Sequence, residues 1–191
     1  HGTGWFTANI FLTQAGSVVT LTDRSLDWTE VLDTIERERV GALTIVGDAF
    51  GKPMVRALDA NPDKWDLSSL VLVASSGVMW SEPVKEAMLA HNPTMLLIDT
   101  FSSSEAIGMG SSVSAGDSAE KTAHFSLGPG CMVFDDDGKP VAAGSGERGR
   151  VAVPGRVPIA YYKDPVKSAD TFIEHDGIRY SMPGDYATIE A

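Results

Sequence analysis

Hydrophobic residues in the early part of the chain follow the spacing of one helix face. Four of them recur at positions i, i+3, i+4 and i+7: Trp28, Val31, Leu32 and Ile35. Asp27, followed three residues later by Glu30, resembles a capping box, and Gly41 is expected to end the helix. The continuous apolar run at 42–46 then predicts a short buried strand.

The alternation of helix and strand patterns continues as far as residue 98. Further helices are predicted at 5–12, 50–58 and 81–92, and further strands at 17–21, 70–74 and 95–98. The strand patterns lack the polar alternation of a half-exposed sheet. Strands of this kind, separated by helices, are typical of a parallel sheet covered on both faces. The sequence therefore predicts an α/β fold here.

The pattern changes near residue 111. Residues 111–122 are rich in serine, glycine and other small polar side chains, and they predict a mobile loop. The elements predicted after it are a hairpin turning at 137–138, a strand at 150–153, a helix from 164 to 172, a turn at 176–177 and a strand at 186–190. We therefore predict an α/β subdomain at 1–124 and a smaller, mostly β subdomain at 125–191.

Composition and charge narrow the classes of function. The chain is 43% hydrophobic and 21% charged, as ordinary globular proteins are. A net charge of −11 offers no broad basic face, which argues against nucleic acid as a partner. No apolar run approaches the roughly 20 residues of a membrane-spanning helix. The single cysteine, Cys131, excludes an internal disulfide framework and indicates a reducing, cytoplasmic setting.

Both ends of the sequence are expected to be internal to a longer chain. The sequence opens on His-Gly-Thr-Gly-Trp, without an initiator methionine or a signal sequence. It closes within a predicted strand. We therefore expect further elements on either side.

Several motif-like stretches have simpler explanations than a binding site. Residues 144–149 fit G-x-G-x-x-G, but a strand is predicted after them, whereas the dinucleotide fold needs a helix there. The three aspartates at 135–137 lack the twelve-residue loop and closing glutamate of a calcium site, and a hairpin turn explains them better. The four histidines lack the spacing of zinc ligands.

One polar segment, 99–105, lies where a ligand site is expected. It comes directly after a predicted buried strand, where an open α/β sheet has its ligand crevice. The segment consists of Asp99, Thr100, Phe101, Ser102, Ser103, Ser104 and Glu105. From these residues alone, a polar turn with a buried Phe101 and an exposed Glu105 explains the segment equally well.

Five segments together resemble the adenylate-forming acyl-CoA synthetases. They are 1–4 (His-Gly-Thr-Gly), 75–79 (Ser-Ser-Gly-Val-Met), 101–105 (Phe-Ser-Ser-Ser-Glu), 146–162, and 183–185 (Pro-Gly-Asp). Each motif alone is weak, but five in the family's order and at compatible spacing are a strong signal. The resemblance implies an internal piece of the family's large N-terminal domain. The family's phosphate loop would precede this sequence and its small C-terminal domain would follow it.

The resemblance implies a site for ATP. The residues implied to bind the nucleotide are Ser76, Gly77, Val78, Asp99, Thr100, Phe101, Ser102, Ser103 and Asp185. Phe101 would stack on adenine, as aromatic faces do with bases. Asp185 would accept hydrogen bonds from a pair of ribose hydroxyls. Phe101 stands where the family has tyrosine, so the stacking face is kept and the phenol is lost.

The resemblance also implies catalytic and acyl-binding residues. Glu105 would hold Mg²⁺, a hard cation that takes carboxylate and phosphate oxygens. Ser104 would place a hydroxyl near the α-phosphate, and His1 belongs to the segment that lines the passage for the acyl group and CoA. The acyl pocket is implied at Trp5, Ala106, Ile107, Gly108, Met109 and Gly110.

The implied activity is that of an ATP-dependent ligase that activates a carboxylic acid as acyl-AMP and transfers it to coenzyme A. The 183–185 and 101–105 segments resemble those of bacterial synthetases for long-chain or steroid side-chain acids. Transfer to a carrier-protein thiol is an alternative acceptor step. A third alternative is a catalytically inactive nucleotide- or acyl-binding homologue, and retention of Glu105 and Asp185 argues against it.

Overall fold

Three parallel strands and the helices between them build the first of two units into which the chain divides. The structure, a computed structural model, describes residues 2–22 and 25–191. The first unit runs to Thr100 and includes Ser112–His124, whereas the second comprises Phe101–Ser111 and Phe125–Ala191. Residues 101–111 therefore pack with the second unit, although they precede the predicted boundary at residue 125.

The first unit alternates helices and strands as predicted. Its elements are α1 (Gly2–Thr13), α2 (Trp28–Glu38), β1 (Ala42–Ile45), α3 (Asp48–Ala60), β2 (Leu72–Ser76), α4 (Glu82–His91), β3 (Leu96–Phe101) and β4 (Gly110–Ala115), of which β3 and β4 cross the division. β1, β2 and β3 are neighbours and run parallel, with Ala42 opposite Leu72 and Leu72 opposite Leu96. The predicted α/β fold with a parallel sheet is confirmed.

Helix α2 shows how the local pattern sets an element. The Asp27 side chain accepts a hydrogen bond from the backbone N–H of Thr29 at 2.8 Å, so the predicted cap is present. The helix ends at Glu38, because Arg39 adopts a left-handed conformation with φ of 49°. Gly41, predicted to end the helix, lies beyond that point.

The core of the first unit lies between the sheet and its helices. Side chains with no exposed surface come from α2, α3, β2 and α4 and from the segments between elements: Leu32, Met54, Leu70, Val73, Trp80, Met88 and Met95. Burying one such side chain contributes about 1.5–3 kcal/mol. All four tryptophans of the chain lie in this unit, and all four tyrosines lie in the second.

Two predictions in the first unit are wrong. Residues 17–21 form no strand and are exposed; β-prone residues make a strand only when a neighbouring strand supplies hydrogen bonds. The predicted loop at 111–122 instead begins with β4, in which Ser112 and Ser114 are buried and Val113 is exposed. The Ser114 hydroxyl accepts a hydrogen bond from the Glu120 N–H at 2.8 Å, and this satisfies a buried polar group.

Helix α1 is apolar on several sides, yet none of its described residues is buried. Trp5 is 73% exposed and Leu12 is 55% exposed. A helix that is hydrophobic all round is normally buried. Within residues 2–22 and 25–191, no helix is long and apolar enough to cross a membrane.

The second unit is built mainly from antiparallel strands. Its elements are β5 (Ser126–Leu127), β6 (Met132–Phe134), β7 (Arg148–Pro154), α5 (Pro165–Thr171), β8 (Phe172–His175), β9 (Ile178–Ser181) and β10 (Tyr186–Thr188). β7 pairs with β6, β9 and β10, and β9 pairs with β8. The mostly β character predicted for this region is confirmed.

The predicted turns of the second unit are present. Asp176 and Gly177 join β8 to β9 with φ values of 51° and 74°, which is the left-handed pair of a tight hairpin turn. The turn at 137–138 reverses the chain after β6, and the return is a single bridge between Phe134 and Pro140 followed by a hydrogen bond from Val141 to Val133. Proline lacks the N–H that a longer ladder needs.

Candidate active site

The segment that begins at Phe101 forms a tight loop closed by its own hydrogen bonds. The backbone N–H of Ala106 donates to the carbonyl of Ser103 at 3.3 Å and also lies 3.1 Å from the Ser103 hydroxyl. The hydroxyl of Ser102 accepts from the Gly108 N–H at 3.0 Å. Two of the predicted nucleotide-binding serines therefore shape the loop. Strand β3 ends at Phe101 and not at 98 as predicted, so residues 99–101 belong to the strand.

Glu105 projects from this loop and meets a distant tyrosine. The Tyr161 hydroxyl donates a hydrogen bond to Glu105 Oε1 at 2.7 Å. This bond is the main reason that the pKa of Glu105 lies below its usual range, and the charge of Lys167 lowers the pKa further. Glu105 is therefore an ionised carboxylate, as a ligand for a cation must be. Its neighbour Ser104 is exposed.

An apolar cluster fixes the base of the loop within the second unit. Ala106 and Met109 are buried with Val133, Val141 and Val151, and Phe101 packs against this cluster. The rings of Phe101 and Phe125 have centroids 5.5 Å apart. The segment predicted to line an acyl pocket is therefore divided between packed residues and an exposed tip.

That exposed tip consists of Ile107, which is 59% exposed, and Gly108. Gly110 is buried, and a Cβ added there would lie 3.0 Å from the carbonyl oxygen of Ser126. Of the residues predicted for the acyl pocket in this loop, Ile107 and Gly108 are thus accessible, and Ala106, Met109 and Gly110 serve packing.

Asp185 is held beside β7 by its backbone. Its carbonyl accepts a hydrogen bond from the Val151 N–H at 2.8 Å. Gly184, just before it, has a φ of 111°, which L-residues rarely adopt. Ala187, two residues further on, packs against the same apolar cluster as Phe101. The structure thus attaches the Phe101 and Asp185 segments to one core.

In the first unit, the predicted adenine-contacting turn follows β2. Ser76 lies opposite Thr100 in the parallel register, so the turn is adjacent to the end of β3. The Thr100 hydroxyl donates to the carbonyl of Ser75 at 3.1 Å. Ser76 is buried, whereas Gly77 and Val78 are exposed. The carboxyl ends of parallel strands are where open α/β sheets bind ligands.

Asp99 differs from the other predicted nucleotide-binding residues because its buried side chain is paired with a buried lysine. Its Oδ2 lies 3.8 Å from the Nζ of Lys85 on α4, and both side chains are almost fully buried. Lys85 also donates to the carbonyl of Glu120 at 3.4 Å and lies 5.8 Å from the centroid of the Trp80 ring. Burial raises the pKa of Asp99 to about 6, although Lys85 lowers it.

The remaining predicted residues are less informative. His1 lies outside the described residues. Trp5 is on α1 and largely exposed. Within the described part of the chain, no group of three or more His, Cys, Asp or Glu residues is arranged to hold a metal ion. Mg²⁺ needs no such group, because it usually takes one or two carboxylates together with phosphate and water oxygens. Glu105 fits that requirement.

Sequence reasoning missed two residues of this region. Lys85 lies on a predicted helix, where nothing in the sequence pointed to its burial, since lysines are rarely buried. Tyr161 was part of a family-like segment, but nothing in the sequence pointed to its contact with Glu105. The residues that resembled the family at 75–79 and 101–105 were the signals that located the strand ends.

A helix-covered parallel sheet with polar segments at its strand ends, followed by an antiparallel β unit, defines an α/β protein of the open-sheet class, and sheets of this class bind ligands at the strand ends. No protein-family model matches the chain. A medium/long-chain-fatty-acid–CoA/3-oxocholest-4-en-26-oate–CoA ligase of Mycobacterium tuberculosis is 41% identical over 162 residues, which is 84% of this chain and 29% of that protein. A 3-oxocholest-4-en-26-oate–CoA ligase of Rhodococcus rhodochrous is 40% identical over 172 residues, or 85% and 30%.

Solved structures share the fold. The anthranilate CoA ligase AuaEII, in complex with anthranoyl-AMP, aligns with a TM-score of 0.69 at 23% identity, over 92% of this chain and 33% of that one. The chain is thus related, over 84–85% of its length, to bacterial proteins named as CoA ligases. It spans about a third of the length of the relatives it matches.

Proposed function

We propose that the protein containing this chain is an ATP-dependent acid–CoA ligase that activates a carboxylic acid as acyl-AMP and transfers it to coenzyme A. The observation that carries this proposal is the identity of 40–41%, over 84–85% of the chain, to proteins named as CoA ligases. The substrate class proposed is medium- or long-chain fatty acids or steroid side-chain acids, by analogy with those relatives. A cytoplasmic setting is part of the proposal.

The nucleotide is proposed to bind at the carboxyl ends of β2 and β3 and at the loop that follows. Phe101 would stack on adenine, a contact worth roughly 1–3 kcal/mol with a base. The exposed residues Gly77 and Val78 of the first unit are proposed as further nucleotide-contacting residues. Asp185 would accept from the ribose hydroxyls, and its pinned backbone supports that role because an oriented acceptor loses little entropy on binding. Asp99 supports the strand end through Lys85.

Glu105 is the residue proposed to hold Mg²⁺, with the phosphate oxygens of ATP. The bound cation would offset negative charge that develops at the α-phosphate. Ser104 would direct a hydroxyl toward that phosphate from the exposed side of the loop. Trp5, Ile107 and Gly108 are proposed to contact the acyl chain. Ala106, Met109 and Gly110 would shape that pocket from behind the loop.

The experiment is acid-dependent release of pyrophosphate by the complete protein, with ATP, Mg²⁺ and a panel of fatty, steroid and aromatic acids. Thioester formation is then measured with CoA and, separately, with a phosphopantetheinylated carrier protein. Glu105→Gln is compared with Glu174→Gln, which removes the charge of an exposed residue on β8 of the same unit. We expect release and acyl-CoA formation to depend on Glu105 and not on Glu174.

Three outcomes would contradict the proposal in different ways. Transfer only to the carrier protein would replace CoA as the acceptor. Activation of aromatic acids alone would change the substrate class. Absence of acid-dependent release with every acid would favour a binding module over an enzyme.

A further inference from the structure

Tyr161 and Glu105 are joined by a short hydrogen bond although they lie 56 residues apart in sequence. The hydroxyl donates to Oε1 at 2.7 Å, both residues belong to the second unit, and the site is partly buried. A hydrogen bond to an ionised acceptor is stronger than one between neutral groups. The bond therefore restricts the carboxylate to one orientation.

The ring of Tyr161 is itself held from two sides. The Nζ of Lys167 lies 4.2 Å from the ring centroid, and the Phe172 ring packs against it at 5.3 Å. The backbone N–H of Tyr161 donates to the Ser168 hydroxyl at 2.8 Å. Lys167 and Ser168 are both on α5, whose first turn is capped by Asp164. Helix α5 thus fixes the ring that fixes Glu105.

The next residue, Tyr162, provides a natural contrast. It is 88% exposed, and the Nζ of Lys163 lies 5.2 Å from its ring centroid. The chain therefore carries two adjacent tyrosines, each with a lysine over its ring. Only Tyr161 is hydrogen-bonded to Glu105.

We propose that Tyr161 is a positioning residue for Glu105: its hydroxyl bonds to Oε1 and orients the carboxylate that would hold the cation accompanying the nucleotide. This inference rests on the proposed function, because it takes Glu105 as the carboxylate that holds Mg²⁺. Lys167 contacts the ring through a cation–π interaction, and its charge also acts on Glu105 directly. Ser168 and the Asp164 cap fix the helix that carries it.

The test measures ATP binding to the complete protein by calorimetry, once with Mg²⁺ and once with EDTA. The ratio of the two affinities is the metal-dependent gain. We expect Glu105→Gln to remove most of this gain. Tyr161→Phe should reduce it about tenfold, as expected for losing a hydrogen bond to a charged group, while affinity in EDTA stays unchanged. Tyr162→Phe, the matched control, should keep the gain within about twofold of wild type.

The double variant of Glu105 and Tyr161 distinguishes a positioning role for Tyr161 from a merely structural one. In the Glu105→Gln background, Tyr161→Phe should cause no further loss of the gain, because it acts through Glu105. Ser168→Ala, which removes the hydroxyl that accepts from the Tyr161 N–H and changes no charge, should reduce the gain about two- to fivefold. This variant keeps the test decisive if Tyr161→Phe proves poorly folded by circular dichroism.

Failure of the metal role of Glu105 and failure of the positioning role of Tyr161 give different results. A Glu105→Gln protein that keeps the full gain would overturn the metal role of Glu105 and this inference with it. If Glu105→Gln loses the gain but Tyr161→Phe matches Tyr162→Phe, the proposed function stands and the positioning role is overturned. An equal loss from Tyr161→Phe in the presence and absence of Glu105 would also overturn it.

Discussion

Removal of Lys85 is expected to destabilise the first unit strongly, and more so at high pH. Lys85 on α4 is 1% exposed, and its Nζ lies 3.8 Å from Oδ2 of Asp99 at the end of β3. Lys85→Met keeps the length of the side chain and removes the charge. Asp99 is then left as a buried carboxyl without its cation.

The magnitude follows from the burial of both partners. Breaking a buried ion pair by removing one partner costs about 3–5 kcal/mol, because an uncompensated charge remains. With Lys85 present, the pKa of Asp99 is already about 6, well above its usual 3.8. Lys85 lowers that pKa, so the variant's Asp99 should titrate higher still. Each further unit costs about 1.4 kcal/mol at a pH above both values.

The pH dependence has a definite sign. Since folding raises the pKa of Asp99, its contribution to stability is greatest below pH 4 and falls as pH rises through 6 in the wild type. In Lys85→Met the contribution of Asp99 to stability continues to fall at higher pH, because its pKa is higher still. The loss of stability caused by the substitution should therefore be largest at pH 8 and should shrink toward pH 5, where the variant's carboxyl is protonated.

The assay is urea unfolding followed by tryptophan fluorescence at pH 5 and pH 8. Every tryptophan of the chain lies in the first unit, so the signal reports that unit. With a slope near 2 kcal/mol per molar urea, a loss of about 4 kcal/mol moves the midpoint by about 2 M. Lys52→Met is the matched control, since Lys52 is 54% exposed and pairs with Asp48 at 3.0 Å. Its cost should stay below about 1 kcal/mol.

The double variant Lys85→Met/Asp99→Leu completes a double-mutant cycle over the two partners of the ion pair. It replaces the pair by apolar side chains and should be more stable than Lys85→Met alone. A loss of stability that is equal at both pH values, together with a double variant no better than the single one, would refute an ionised pair at this position.

Four further outcomes are expected. Asp185→Ala in the complete protein should raise the KM for ATP about tenfold, through loss of ribose hydrogen bonds. Asp136→Ala, a control in an exposed turn, should leave that KM unchanged. Equal KM values for the two variants would remove Asp185 from the site. Glu105→Gln should lower kcat more than it raises the KM for ATP, as Mg²⁺ titration of the rate would show. The 191-residue chain alone should fold, release no acid-dependent pyrophosphate and self-associate through the exposed face of α1 in light scattering. Gly149→Ala should destabilise the second unit by about 1–3 kcal/mol in urea unfolding followed by tyrosine fluorescence, because its Cβ would meet a backbone carbonyl of β6.

Local patterns predicted the fold wherever neighbours in sequence decide the structure. Helix α2 begins at Trp28 with its Asp27 cap, because helical spacing and capping are properties of consecutive residues. Residues 17–21 were mistaken for a strand, since their β-prone side chains do not reveal whether a neighbouring strand exists. The small polar residues of β4 produced the opposite error: backbone pairing, and not propensity, makes that segment a strand.

The candidate site was predictable only as a set of segments. The motif at 101–105 located the loop, but the hydrogen bond between Glu105 and Tyr161 joins positions too far apart for any local pattern to reveal. Lys85 could not be found for a similar reason. Its burial depends on β3 and on the chain near Glu120, and neither is visible from the helix that carries it.

The separation of aromatic types gives each unit of this chain its own chromophore. Every tryptophan lies in the first unit and every tyrosine in the second. Near-ultraviolet circular dichroism can therefore distinguish a loss of tertiary packing in one unit from a loss in the other without any attached dye.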